Sequence, residues 1–139
     1  MSNNNLLTEK PALTLAAVKK IIAAAETEAL KHGWPVVIAV VDDGGHLLGL
    51  ERLDNAQFAS VKISIQKARA AIGFKRPTKV WEEMLASGQQ RVLNLAGVVT
   101  SEGGVPLTWK GQIVGAIGVS GVKPSEDGQI ASAGAAVLE

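Results

Sequence analysis

The sequence contains no cysteine, and this absence excludes disulfides, zinc–thiolate sites, iron–sulfur clusters and cysteine nucleophiles. It also contains no tyrosine, and only 4% of its residues are aromatic, so its core must be built from aliphatic side chains. With 47% hydrophobic and 19% charged residues, the 139-residue chain has enough apolar material for one folded domain. The net charge of +1 provides no overall attraction to nucleic acid, so no nucleic-acid partner is expected.

Long hydrophobic runs are also missing. The longest one, Val36 to Val41, is too short to cross a bilayer, and the polar start Met1 to Asn5 is unlike a secretory signal. We therefore expect a cytoplasmic protein with no membrane partner. Residues 1–12 are expected to form a flexible N-terminal arm, and residues 13–139 a single domain.

Hydrophobic residues at helical spacing predict four helices. The first is capped by the Thr14 hydroxyl and ends at Gly33. The second ends at Gly73, a short third one covers 78–86, and the last is capped by Ser125 and continues to about residue 138. The second helix has an apolar stripe, formed by Phe58, Val61, Ile65, Ala68 and Ile72.

Between the helices, two hairpins are predicted. The first joins the β-branched strand 36–41, which is expected to be covered on both faces, to a strand at 46–53 through the turn 42–45. The second joins strands at 105–109 and 112–120. This order of elements predicts an α+β fold, with a central antiparallel sheet of hairpins flanked by helices.

The common catalytic motifs are absent. No dinucleotide fingerprint, phosphate loop or Gly-x-Ser-x-Gly elbow occurs, and no pair of histidines has the spacing of a zinc site. Gly111, Gly115, Gly118 and Gly121 lie in the second hairpin, where glycine allows close backbone packing or forms the wall of a pocket. This poor inventory favours binding over catalysis, although it leaves the question of an enzyme open.

His46 is the first candidate for a ligand-binding residue. It follows a Gly-Gly turn at the start of a strand, and an imidazole there can ligate haem iron or another metal. The alternative is a polar residue at the shoulder of a hairpin. Met84 is a candidate second ligand or a residue of the helix core.

A basic cluster is the second candidate. Six cations occur between Phe58 and Trp81 with no acidic residue among them, namely Lys62, Lys67, Arg69, Lys75, Arg76 and Lys79. Such a cluster suits carboxylates or phosphates, and its alternative is a solvated helix face. Arg52, Lys67 and Arg69 are the candidates for pairing with an anion.

The order of several short segments resembles the GlcG/HbpS family over residues 12–138. These segments are 13–15, 36–47, 67–68, 74–78, 103–107, 111, 114–121 and 126–127. The resemblance implies a profilin-like fold, a tendency to form homo-oligomers, and a role in binding haem. It also extends to the C-terminal domain of PduO-type corrinoid adenosyltransferases, which makes a corrinoid the alternative cofactor. Adenosyltransferase activity is not expected, because in that group it belongs to a separate ATP-binding domain for which this chain has no room.

The function predicted from the sequence is therefore a homo-oligomeric binding module for haem, a corrinoid or a small carboxylate. The predicted pocket lies near the first hairpin turn, the second helix and the loop Gly103-Gly104, with His46 facing the metal and Phe58 or Trp109 as an apolar wall. One alternative is a haem-degrading or small-acid-metabolising enzyme. The other is a structural or regulatory oligomer that binds no small molecule.

Overall fold

A computed structural model describes residues 5–139, which form four α-helices and one four-stranded antiparallel sheet. Two 3₁₀ helices, Gln90–Asn94 and Ala136–Leu138, complete the fold. The α+β prediction is confirmed. In chain order the elements are α1 (Leu15–His32), β1 (Val37–Asp42), β2 (Leu47–Arg52), α2 (Ala59–Phe74), α3 (Lys79–Ala86), β3 (Gly104–Trp109), β4 (Gln112–Ser120) and α4 (Pro124–Ala135).

The sheet has the strand order β2-β1-β4-β3, so each predicted hairpin forms one half of it. β1 pairs with β2 on one side and with β4 on the other, and Val37 lies opposite both Arg52 and Ser120. Residues 36–41 are completely buried. This burial confirms the prediction that the β-branched strand is covered on both faces. The turn between β1 and β2 lies at one end of the sheet.

Helices cover both faces of the sheet. α1 and α4 pack on one face, where Ile38 and Val40 of β1 join Ile117 and Val119 of β4 in the larger core. α2 packs on the other face over a smaller core that includes Val41. α1 has the predicted boundaries, since the Thr14 hydroxyl accepts the Ala17 N–H at 3.1 Å and Gly33 follows its last residue.

The apolar stripe predicted for α2 faces the sheet only in its second half, where Ala68 and Ile72 are buried in the smaller core. Phe58 precedes the helix and is 79% exposed, while Val61 and Ile65 are only half-buried. The face that packs on β1 and β4 is made of small and polar residues, namely Ser60, Ser64, Lys67, Ala68 and Ala71. The cause is the short distance between α2 and β4: a Cβ on Gly118 would overlap Ser64 O and would lie 2.5 Å from Ala68 N. Only small side chains fit where the helix crosses Gly118.

α4 begins two residues earlier than predicted. Lys123 is its N-cap and Pro124 its first residue, so Ser125 is inside the helix and does not cap it. Proline lacks an N–H, but an N–H at this first position has no partner within the helix, so Pro124 is tolerated there. The Glu126 carboxylate accepts the Lys123 N–H at 3.3 Å. The helix ends at Ala135, and the last predicted turn is the 3₁₀ helix Ala136–Leu138.

The N-terminal segment lies at the surface. Residues 5–10 are exposed, and Lys10 Nζ binds Asp43 Oδ2 of the first hairpin turn at 2.7 Å. Residues 1–4 lie outside the described residues, and the flexible arm stays a prediction. No helix within residues 5–139 is long and apolar enough to cross a membrane.

The close approach of α2 to β4 makes Gly118 a point where added volume is not tolerated. We expect Gly118→Ala to lower the free energy of unfolding by about 3 kcal/mol, because its methyl group would displace the α2 backbone. The matched control is Gly73→Ala, on the exposed side of α2 with no atom within 4 Å of the added Cβ, which should stabilise the protein by about 0.5 kcal/mol. Urea unfolding measures both, and equal effects would contradict this account of the packing.

Candidate functional site

The first hairpin turn presents an exposed imidazole. Asp42 Oδ1 accepts the backbone N–H groups of Gly44 and His46, each at 2.9 Å, and the bond from His46 is the main cause that lowers the pKa of the Asp42 carboxyl. The same oxygen lies 3.3 Å from His46 Nδ1, and the His46 side chain is 83% exposed. This contact favours the proton on Nδ1, so that Nε2 is left to bind a ligand.

The turn that carries His46 lies against α2. Gly45 is buried, and Arg69 Nε lies 3.7 Å from the place that a Cβ would take on Gly45. His46 and Arg69 therefore belong to one region of the surface, although they are 23 residues apart in the sequence. The structure brings these two predicted site residues close to each other.

The outward face of α2 borders a groove of about 580 Å³. We call this surface the outer groove, and its lining residues are Lys62, Ile65, Gln66, Arg69, Gly97, Val98 and Val99. Its volume lies within the range of roughly 300–1,000 Å³ that is usual for small-molecule sites. Apolar side chains from two segments form its walls, and two cations of the basic cluster lie on its helical side.

Lys62 and Arg69 are free to bind an anion. They are seven residues apart on α2, which separates them by about 10 Å along the helix on one face. Neither has an acidic partner within residues 5–139. The outer groove therefore combines apolar walls with two uncompensated positive charges.

Lys67, the other residue of α2 that was predicted to pair with an anion, points the other way. Its side chain is 2% exposed, and Nζ donates to Asp127 Oδ2 and to Val119 O, each at 3.0 Å. Burial raises the pKa of the Asp127 carboxyl, and the neighbouring Lys67 ammonium opposes this shift. Lys67 is thus already paired inside the protein and does not reach the outer groove.

Gly103 and Gly104 pack against Lys67 and do not line a groove. A Cβ on Gly103 would lie 2.8 Å from Lys67 Nζ, and one on Gly104 would overlap Lys67 O. Gly104 N also donates to the buried Thr78 hydroxyl at 2.9 Å. The two glycines therefore lie next to Lys67, as predicted, but the three residues are enclosed in the interior and form no open pocket.

Arg52 lies at a different cavity, of about 560 Å³, between the end of α1 and the edge strand β2. Its Nε and Nη2 donate to Ala56 O at 3.1 and 2.9 Å and so hold the loop before α2. The same cavity contains Glu26 and Glu51, and Glu51 Oε1 is buried without a hydrogen-bond partner. Burial, followed by the contact with Glu26, raises the pKa of the Glu51 carboxyl.

The remaining candidates are dispersed. Trp109 is 40% exposed at the end of β3, where Lys110 Nζ lies 4.6 Å from its ring and a small apolar cavity of about 190 Å³ adjoins it. Phe58 precedes the first turn of α2, and Met84 is half-buried on α3. No group of three or more acidic or histidine side chains within residues 5–139 is placed to hold a metal ion.

A family model for HbpS-like proteins, described as "Haem degrading protein HbpS-like", matches residues 13–136. The chain belongs to the HbpS-like family. Protein GlcG of Escherichia coli is 46% identical over 111 residues, which are 80% of this chain and 83% of GlcG. The resemblance inferred from the sequence segments is therefore confirmed.

The family is also confirmed by solved structures and by a longer relative. The crystal structure of HbpS has a TM-score of 0.87 at 38% identity and covers 97% of this chain and 96% of its own. A structure titled "PduOC:Heme Complex" has a TM-score of 0.83 at 26% identity, covering 93% and 96%. Corrinoid adenosyltransferase PduO of Citrobacter freundii is 30% identical over 94% of this chain, but the match spans only 41% of PduO.

Sequence reasoning missed the apolar half of the outer groove in this HbpS-like domain. Lys62 was part of the basic cluster, but Val98 and Val99 come from a segment with no clear periodicity, and only the fold places them beside α2. Ile65 belonged to the stripe predicted for α2, and its incomplete burial reveals its role as a wall. The one signal of this groove in the sequence is that Lys62 and Arg69 lie directly beside the apolar stripe of α2.

The Glu26–Glu51 contact predicts a pH-dependent stability. Because the pKa of Glu51 is raised above its ordinary value of 4.5 on folding, its contribution is fully present below about pH 4.5 and is lost as the pH rises through the folded pKa. Glu51→Gln keeps the shape and has no proton to lose, so we expect it to be more stable than wild type at pH 7, by about 0.5 kcal/mol. Urea unfolding from pH 4 to pH 8 measures this difference.

The control for that measurement is Glu9→Gln, an exposed residue of the N-terminal segment outside the cavity. Its stability should follow that of the wild type over the whole pH range. A Glu51→Gln variant that stays parallel to the wild type from pH 4 to pH 8 would show that Glu51 keeps its ordinary pKa in the folded protein.

Proposed function

We propose that this chain is a haem-binding module and that the ligand lies in the outer groove. The observation that carries the proposal is the pairing of apolar walls, Ile65, Val98 and Val99, with two uncompensated cations, Lys62 and Arg69. Haem is a flat apolar ring with two carboxylates at one edge, so its chemistry matches both parts of this surface. Membership of the HbpS-like family and the haem complex of a relative support the same ligand.

In this proposal each residue has a separate task. Lys62 and Arg69 bind the propionates through charge-assisted hydrogen bonds, and the valines with Ile65 exclude water from the ring. His46 Nε2 is the candidate iron ligand, because its turn contacts Arg69 and Asp42 occupies Nδ1. Bound haem would supply an iron centre for redox or oxygen chemistry, while the chain's own residues bind and orient it.

Lys67, Gly103, Gly104, Arg52 and Trp109 are left out of the proposed site. Lys67 and the two glycines are closed inside the protein, and Arg52 and Trp109 lie at other cavities. Phe58 remains a candidate for the outer wall, since it is exposed four residues before Lys62, at helical spacing.

The proposal also concerns alternative ligands and the oligomeric state of the protein. A corrinoid or a small carboxylate would use the same cations, and each is an outcome of the binding test below. We also propose a homo-oligomer, because large apolar side chains away from the groove, Leu15, Leu30 and Leu47, are 62%, 65% and 49% exposed, and association would remove such apolar surface from water. Sedimentation analysis tests this, and a monomer at all concentrations would reject it.

A haem-degrading enzyme is the second candidate function, and the description of the matching family model supports it. An exposed imidazole at an open groove leaves room for a small co-reactant beside the iron. The discriminating measurement is the loss of Soret absorbance with peroxide or with a reductant under air. If the Soret absorbance is lost no faster than that of free haem, the enzyme is rejected and the binding module remains as the proposed function.

The proposed site predicts that the cations determine haem affinity. We expect the double variant Lys62→Glu/Arg69→Glu to bind haem about 100-fold more weakly, since each cation contributes a charge-assisted hydrogen bond worth about ten-fold. The matched control is Lys19→Glu/Lys20→Glu, the same change of charge on α1, at the opposite face of the sheet. Soret titration of the purified protein measures the affinities.

The spectrum gives a second, separate result. His46→Ala should bind haem in the groove with an altered Soret maximum, because the propionate contacts remain while the iron ligand is lost. An unchanged spectrum would remove His46 as the ligand and leave the groove in place.

If the two double charge-reversal variants lose haem affinity equally, the attraction comes from total charge and the outer groove is rejected as the site.

A further inference from the structure

The segment from Gly88 to Gly97 leads into the wall of the outer groove. It contains the 3₁₀ helix Gln90–Asn94, and it continues directly into Val98 and Val99, which line the groove together with Gly97. We call residues 88–97 the lid segment. Because Gly97 belongs both to this segment and to the groove wall, a movement at this end of the segment changes the width of the groove.

The lid segment makes only local hydrogen bonds. Its backbone bonds within the described chain run between residues 84 and 98, as in Gln89 N to Met84 O at 3.1 Å and Val98 N to Leu95 O at 3.2 Å. The side-chain bonds of Gln89 and Arg91 also stay within residues 87–91. No strand of the sheet holds this segment by a hydrogen bond, so it can move without breaking the sheet.

One buried side chain anchors the lid segment. Val92 is completely buried, whereas its neighbours Leu93 and Leu95 are 59% and 43% exposed. Val92 belongs to neither of the two hydrophobic cores, and the 3₁₀ helix packs chiefly on α3. Val92 is the one buried residue of the lid segment, so the anchoring of the segment is concentrated in this side chain.

Glycines at both ends provide the freedom to pivot. Gly88 and Gly97 have φ angles of 96° and 84°, in the region that other residues rarely adopt, and both are exposed. Gly88 has no atom within 4 Å of a built Cβ and Gly97 has only Phe74 Cε2, at 4.0 Å, so little packs against either end of the segment. A short element that is bracketed by such residues has the construction of a hinged cover.

We propose that the lid segment closes over the ligand in the outer groove, where Leu93 and Leu95 cover its apolar face. The identity of the ligand rests on the proposed function, whereas the hinged movement is a property of the chain alone. Leu93 and Leu95 are exposed in the residues that lead into the groove wall at Gly97, and they gain burial when a ligand lies between them and α2. The lid thus controls how fast the ligand leaves.

The hinged movement is tested without any ligand, by amide hydrogen exchange. We expect Val92→Ala to accelerate exchange at residues 90–95 about ten-fold and to leave β1 and β4 unchanged, because the lost methyl groups anchor only the lid. Asn94→Ala is the matched control, since its exposed side chain anchors nothing. Acceleration that extends to β1 and β4 in the Val92 variant, or none at residues 90–95, would reject an independently moving lid.

The closing movement is tested with haem as the probe. Leu93→Ser/Leu95→Ser should release haem about ten-fold faster, measured by transfer to apomyoglobin, while exchange in the haem-free protein stays close to that of wild type. Haem that binds and leaves at the wild-type rate would reject the cover and keep the proposed function. A wild-type protein without a saturable Soret band would reject the proposed function, and the exchange experiment would still decide on the hinge.

Discussion

The buried ion pair of Lys67 and Asp127 is the contact on which the arrangement of the helices depends. Lys67 lies on α2 and Asp127 in the first turn of α4, on opposite faces of the sheet, and their charges meet at 3.0 Å beside the end of β4. Burying one of these charges without the other would be costly, so the two helices must keep this relative position. The Val119 carbonyl and the Val122 N–H complete the bonding of the pair.

This pair also decides which face of α2 is turned outward. The helix has its lysine, serines and alanines against the sheet, where the backbones of Gly118 and Gly104 come close to the backbone of the helix. Val61 and Ile65 are consequently displaced to the outer side, next to Lys62 and Arg69. The mixture of apolar and basic groups in the outer groove is thus a direct result of how the interior is packed.

Much of the fold follows from local patterns in the sequence, but the site does not. Thr14 and Gly33 mark α1, and the run 36–41 marks the central strand, because caps and β-branched runs act over a few residues. Lys67 and Asp127 are 60 residues apart, and no local pattern indicates that one neutralises the other. If this pairing is not known, the apolar stripe is the natural prediction for the buried face of α2. Lys67 is then predicted to bind an anion at the surface, although it is paired in the interior.

The net charge of +1 conceals an uneven distribution that bears on the ligand. Glu26, Glu51 and Asp54 line the cavity between α1 and β2, whereas Lys62 and Arg69 line the groove on α2, across the sheet. Because charges in water are screened beyond about 10 Å, an approaching ligand responds to the nearest of these surfaces and not to the sum. An anion is attracted to Lys62 and Arg69 and is repelled from the cavity, where the three acidic residues outnumber Arg52, so the weak overall charge does not argue against an anionic ligand. Specificity then depends on the apolar walls, since small carboxylates meet the same cations but cannot fill the space between Ile65 and the two valines.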